Sequence, residues 1–171
     1  MNAILLLASA VLLGLGLNMA GNSARRSNLS QDQNKRPQTE KQFFNPKDLN
    51  APGGFTHVVT TNQGRMIFVS GQVALNKQGE VVGKGDLRAQ ATQVFENLKV
   101  ALAAAGATFA DVVKMNTYVA NYKPADVTVL REVRSKYVSK EKPPASTLVG
   151  VQSLVREDFL IEIEVVAMIN Q

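Results

Sequence analysis

The stretch LIEIEVVAMI at residues 160–169 constrains the fold more than any other. Its alternation places Ile161, Ile163, Val165 and Ala167 on one face of a strand, and Leu160, Glu162, Glu164, Val166 and Met168 on the other. A strand this apolar on both faces belongs in mid-sheet or at an interface. There an ionised carboxylate is costly unless it is paired or solvated. Two readings of the glutamates follow: solvated side chains on a half-exposed strand, or carboxylates kept for chemistry or assembly.

A chain of 171 residues with 45% hydrophobic content can bury one core, and one globular domain is expected. The absence of cysteine removes disulfides and thiolate nucleophiles, and a single histidine, His57, argues against a histidine-built metal site. The net charge of +5 is concentrated before the domain. Residues 21–50 hold six basic side chains (Arg25, Arg26, Lys35, Arg36, Lys41, Lys47) against three acidic ones (Asp32, Glu40, Asp48). The remainder lacks the basic face and exposed aromatics of a nucleic-acid domain, and no nucleic-acid partner is expected.

Residues 3–20 carry no charge and read as a signal peptide or a membrane anchor. Leu/Ala richness and the helix-weakening Gly14 and Gly16 favour a cleaved signal and an exported domain. The absence of a basic n-region and of an A-x-A site, with basic residues following the apolar run, favours an uncleaved anchor. Contact with the membrane is expected only through residues 3–20. Residues 21–50, rich in Asn, Gln, Ser, Lys and Arg, read as a flexible basic tether, with Phe43 and Phe44 able to dock where it ends. The folded domain is placed at residues 51–171.

Within it, residues 55–60 read as a strand, Asn62, Gln63 and Gly64 as its turn and residues 65–73 as its hairpin partner. Ser70-Gly71 interrupts that partner and marks either a simple bulge or a close approach of a ligand to the backbone. Residues 80–82 suggest a further short strand. Asp86 caps a helix over residues 87–105, whose stripe is Ala91, Val94, Phe95, Leu98, Ala101, Leu102 and Ala105; Gly106 ends it. Thr108 and Asp111 form a capping box, and residues 112–119 a strand. A second helix starts near Pro124 and runs to about Tyr137, followed by strands at residues 145–151 and 160–169. With no Gly-rich phosphate loop opening either helix, the order predicts an α+β fold: one mixed sheet with two helices on a single face. The other face is too apolar for water, which predicts self-association.

FVSGQVAL, QATQVFENLKVALAAAGATFADVVKMNTYVAN, PPASTLVGV and LIEIEVVAMI together resemble the successive signatures of the RidA/YjgF family of reactive-intermediate deaminases, over about residues 55–170. The resemblance implies a chorismate-mutase-like fold and a homotrimeric barrel with three clefts at subunit interfaces. Active members hydrolyse enamine or imine products to keto acids and ammonia there, and no metal or organic cofactor is implied. By residue-wise match, Glu162 takes the position of the glutamate associated with the attacking water. Gly71 matches the glycine whose N–H meets the substrate, and Ser70 is its neighbour. Phe55 falls where a cleft tyrosine usually stands, without that tyrosine's hydroxyl.

The family's P-A-R-S arginine, which forks onto the substrate carboxylate, is replaced by Ser146, followed by Thr147; the asparagine often found in the second helix is Leu130. Loss of a charge-assisted bidentate contact costs about 1.5–3 kcal/mol in binding. Hydrolysis of the usual small 2-imino acids is therefore not expected. Three functions remain: a deaminase of other enamine or imine compounds using Glu162 as acid/base, a catalytically silent small-ligand-binding or sensing trimer, and a purely structural module. Arg131, Arg134 and Arg156 are alternative sources of a cation, although helix and loop positions read as solvent-facing.

Overall fold

The structure, a computed structural model, describes residues 40–170. The leader or anchor at residues 1–20 and most of the tether lie outside the described residues. The part of the tether that is described contains a strand, β1 (Lys41–Phe44). It is followed by β2 (Val58–Thr61), β3 (Arg65–Gln72), α1 (Leu87–Ala104), a 3-10 turn (Phe109–Asp111), β4 (Val112–Ala120), α2 (Asp126–Arg134), β5 (Ala145–Val151) and β6 (Ile161–Ile169).

The main sheet has the order β3-β6-β4-β5. β6 runs antiparallel to both its neighbours, and the edge pair β4 and β5 is parallel. The alternating strand is thus central, as its two apolar faces require. Ile161, Ile163, Val165 and Ala167 are buried against the helices, whereas Glu162, Glu164 and Val166 are only partly covered on the open face. Each fully buried aliphatic side chain in this layer contributes about 1.5–3 kcal/mol of transfer free energy.

α1 forms where the stripe predicts it. Asp86 accepts from the Arg88 and Ala89 amides at 2.9 and 3.1 Å, and Ala91, Val94, Phe95, Leu98 and Leu102 are buried. Gly106 leaves the helix at a φ of +75°, a left-handed conformation that suits glycine. The Thr108–Asp111 capping box is formed. Gln90, fully buried on α1, donates to the Gly83 and Asp158 carbonyls and accepts from the Leu160 amide at 2.9 Å. It ties the helix to the chain entering β6.

Three expectations are corrected. β2 does not pair with β3 as a hairpin; it pairs antiparallel with β1, Phe43 opposite Val59, while β3 pairs with β6. That arrangement sets Ile67 opposite Ala167 and Val69 opposite Val165, so the apolar positions of β3 join the helix-covered layer. The residues at 80–82 contribute one isolated bridge, Val81 to Leu75, rather than a strand. α2 begins at Asp126, whose carboxylate accepts from the Lys123 amide at 2.7 Å, and ends at Arg134. The chain turns at Ser135, and Tyr137 leaves the helix to stack on Phe95 at 4.9 Å between ring centroids.

Candidate functional site

β3 shifts register between Val69 and Gln72, so Ser70-Gly71 is a bulge. The bulge turns Gly71 toward β6: a Cβ built there would lie 1.8 Å from Glu162 Oε1. Only glycine leaves room for that carboxylate. Glu162 pairs with Tyr118 across the sheet and has no hydrogen-bond partner among the described residues.

Glu164, two residues along the same face, is tied. Its Oε1 accepts from Asn116 Nδ2 at 2.8 Å and from the Tyr118 hydroxyl at 3.0 Å. The Asn116 bond, then the Tyr118 bond, holds its carboxyl below the usual range, and the same contact with Glu164 raises the Tyr118 hydroxyl. Lys114 Nζ donates to Thr147 Oγ1 at 2.7 Å on this face. Of the two glutamates, Glu162 is the one left available for chemistry.

Register separates the remaining predicted residues. Ser146 is opposite Met115 and Leu148 opposite Thr117, so both stand on the helix-covered side, where Met115 and Thr117 are buried. Thr147 is opposite Asn116 and shares the open face with Glu162 and Glu164. Within one protomer, Ser70, Gly71, Thr147 and Glu162 lie on the open face, and Ser146 lies on the other. Phe55 joins Ser146. Thr56 donates from its hydroxyl to the Pro143 carbonyl at 2.6 Å and from its amide to the Pro144 carbonyl at 3.3 Å, which lays the Phe55 segment alongside the start of β5.

Phe55 and Ser146 line a cavity of about 320 Å³. Its floor is Phe95, Leu130, Ile161 and Ile163, and its rim is Gly53, Gly54, Arg131 and Arg134. Arg131 and Arg134 therefore line the same cavity as Ser146; Arg131 is exposed, as its helix position suggests, whereas Arg134 is partly buried, against that expectation. Arg131 Nη2 donates to the Gly53 carbonyl at 3.3 Å, and Arg134 Nη1 donates to the Gly54 carbonyl. Burial, and then the Arg131 charge beside it, pushes the Arg134 guanidinium below its usual range. Arg156 lies elsewhere, over the Phe159 ring. The Arg131/Arg134 spacing was a visible signal on the helix; the glycine loop that converts it into a cavity rim is distant in sequence.

His57 is held by the Asn50 carbonyl at 2.9 Å and packs edge-on against Phe55, a structural role. Among the described residues, no group of three or more His, Cys, Asp or Glu is placed to hold a metal ion. Nor is any described helix long and apolar enough to cross a membrane.

Residues 45–169 match a family model described as Endoribonuclease L-PSP. The 3-aminoacrylate deaminase RutC of Acinetobacter baylyi is 33% identical over 127 residues, covering 71% of this chain and 98% of that protein. A 2-iminobutanoate/2-iminopropanoate deaminase of Dermatophagoides farinae is 32% identical over 107 residues, covering 63% and 80%. The crystal structure of YyfB from Yersinia pestis, a Rid-family protein of unknown function, superimposes with a TM-score of 0.69 at 41% identity, covering 75% of this chain and 98% of that one.

Proposed function

This chain belongs to the Endoribonuclease L-PSP family, the RidA/YjgF proteins of the sequence resemblance, and from that premise we propose that it hydrolyses a C=N bond in clefts between the protomers of a homotrimer. The observation that carries the reading is Glu162, a carboxylate without a hydrogen-bond partner, set over a glycine bulge on a sheet face that also exposes Phe68 and Met66. Covering that face with a neighbouring protomer buries apolar area and brings Glu162 of one subunit toward Ser146 and Phe55 of the next.

In the proposed reaction an enamine tautomerises to its imine. Glu162 takes a proton from water as the hydroxide oxygen bonds to the imine carbon, and the C=N π pair moves to nitrogen, which gains a proton. The carbinolamine then breaks its C–N bond: the hydroxyl proton passes through Glu162 to nitrogen as the carbonyl forms, and nitrogen leaves as ammonia. Glu162 is the acid/base group, and the Gly71 amide and Ser70 orient the substrate.

A second reading, a ligand-binding trimer without turnover, is favoured by Ser146 and Leu130 standing where the family pattern has arginine and asparagine. The discriminating experiment generates imines from amino acids with an oxidase in the presence of semicarbazide and measures how far the full chain outcompetes trapping. Acceleration that Glu162→Ala abolishes is expected, with 2-iminopropanoate a slow substrate that Ser146→Arg improves. Equal acceleration by Glu162→Ala would overturn the role of Glu162. Binding without any turnover would establish the second reading.

We also propose that residues 3–20 direct export and are removed. N-terminal sequencing of the fractionated mature protein tests this, and an intact Met1 in the membrane fraction would contradict it.

A further inference from the structure

The cavity beside Ser146 contains an unmet cation. Arg134 uses Nη1 on the Gly54 carbonyl, while its Nε and Nη2 are buried and have no hydrogen-bond partner; among the described residues they are the buried side-chain nitrogens or oxygens left in that condition. Nε and Nη2 together form one complete edge of the guanidinium, the edge that binds a carboxylate through two parallel N–H···O bonds. Leaving those donors dry is costly, and placing Arg131 beside them adds like-charge repulsion. Among the described residues no carboxylate relieves either: the hydrogen bonds of both arginines go to the carbonyls of Gly53 and Gly54.

We infer that Arg134, supported by Arg131, is a carboxylate-recognition site relocated from β5 to α2, and that the cavity takes a small monocarboxylate with an apolar side chain. The floor of Phe95, Leu130, Ile161 and Ile163 fits an aliphatic or aromatic group, and about 320 Å³ is at the small end of ligand pockets. Ser146, with no charge of its own, leaves space where a strand arginine would have entered the cavity. Both unpaired nitrogens are buried in the protomer, so a carboxylate reaches them only after a local shift of the groups packed around Arg134. This deepens the proposed function, because it names the carboxylate end of the substrate on the cleft that function uses, but it is tested on binding alone.

Isothermal titration of the full chain with 2-oxo-3-phenylpropanoate, a stable keto acid, is compared with titration of its uncharged amide. The expected result is keto-acid binding at least about tenfold tighter than the amide, a preference that Arg134→Gln removes while amide affinity is unchanged. Because Arg134 also holds the Gly54 carbonyl, the melting temperature of each variant is recorded. Arg131→Gln, at an exposed position, gives a smaller loss of the same preference in a fold left intact, and Ser146→Arg in the Arg134→Gln background restores it. Equal binding of keto acid and amide, an equal loss of both in Arg134→Gln, or no keto-acid binding would each overturn the inference. Imine hydrolysis that persists without keto-acid binding would sink the relocated cation and leave the hydrolase reading standing. Keto-acid binding without Glu162-dependent hydrolysis would do the reverse.

Discussion

The two faces of the central strand are built from the same alternation and are used in opposite ways. On the helix side, Ile161, Ile163, Val165 and Ala167 are buried, and Ile161 and Ile163 also line the cavity beside Ser146. On the open side, the Glu162 carboxylate has no hydrogen-bond partner among the described residues, Glu164 is locked by Asn116 and Tyr118, and Phe68 is 75% exposed on the neighbouring strand. The helix-side face forms the core, and the open face carries the carboxylates of Glu162 and Glu164 beside the exposed Phe68. The strand therefore puts its buried aliphatic residues and its carboxylates on different faces, and each face contributes a different part of the proposed cleft, Ile161 and Ile163 the cavity floor and Glu162 the carboxylate.

Substituting adjacent residues of β6 separates its two faces most strongly. Ile163→Ala should cost about 2–5 kcal/mol in denaturant unfolding, since it opens a cavity under the helices. Glu162→Ala should stay within about 0.5 kcal/mol. Comparable losses would mean that the faces are not separate.

Gly71→Ala comes next. The added methyl meets the Glu162 carboxylate and should cost about 1–3 kcal/mol, most of it recovered in the Gly71→Ala/Glu162→Ala double variant. An additive cycle would show that the bulge, and not the carboxylate, requires glycine.

Phe68→Asp tests the need for cover. Light scattering should show dissociation to folded monomers with a change in protomer stability of about 0.5 kcal/mol or less, and an unchanged oligomer would remove the open face from the interface.

The smallest effect concerns a titrating group on the helix side. Desolvation, and then the 2.7 Å hydrogen bond to Glu96, push the Tyr137 hydroxyl up to about 12. Its folded value lies above the ordinary tyrosine value of 10.0, so its contribution is full below pH 10 and declines as pH rises toward 12. Tyr137→Phe should flatten the alkaline loss of stability in that window, and an identical slope would contradict the assignment.

The elements that could be read from sequence were those whose signals are local. The alternation of β6, the stripe and Asp86 cap of α1, and the Thr108–Asp111 box need no partner to be recognised. β1 was hidden because its four residues follow a polar run and its pairing with β2 is long-range. The same competition for β2 undid the expected hairpin. At the site, the strand glutamates and the strand glycine stood out because they contradict their surroundings, but only the family resemblance singled out Glu162 from Glu164. That Ser146 and Glu162 stand on opposite faces depends on the registers through β4, which sequence spacing does not contain. Arg134 looked like a solvent-facing helix residue because Gly54, whose carbonyl it meets, lies 80 positions away.

The central claim, that a working cleft needs the open face of one protomer and the helix-side cavity of another, is tested most directly by subunit mixing. Glu162→Ala and Arg134→Gln chains, each impaired alone, are co-refolded in equal amounts and assayed for hydrolysis of 2-imino-3-phenylpropanoate. In a cyclic trimer every mixed ring contains one intact cleft, so about one quarter of the parental activity should return. Mixtures no more active than the separate variants would place both residues in one protomer's site and contradict the account.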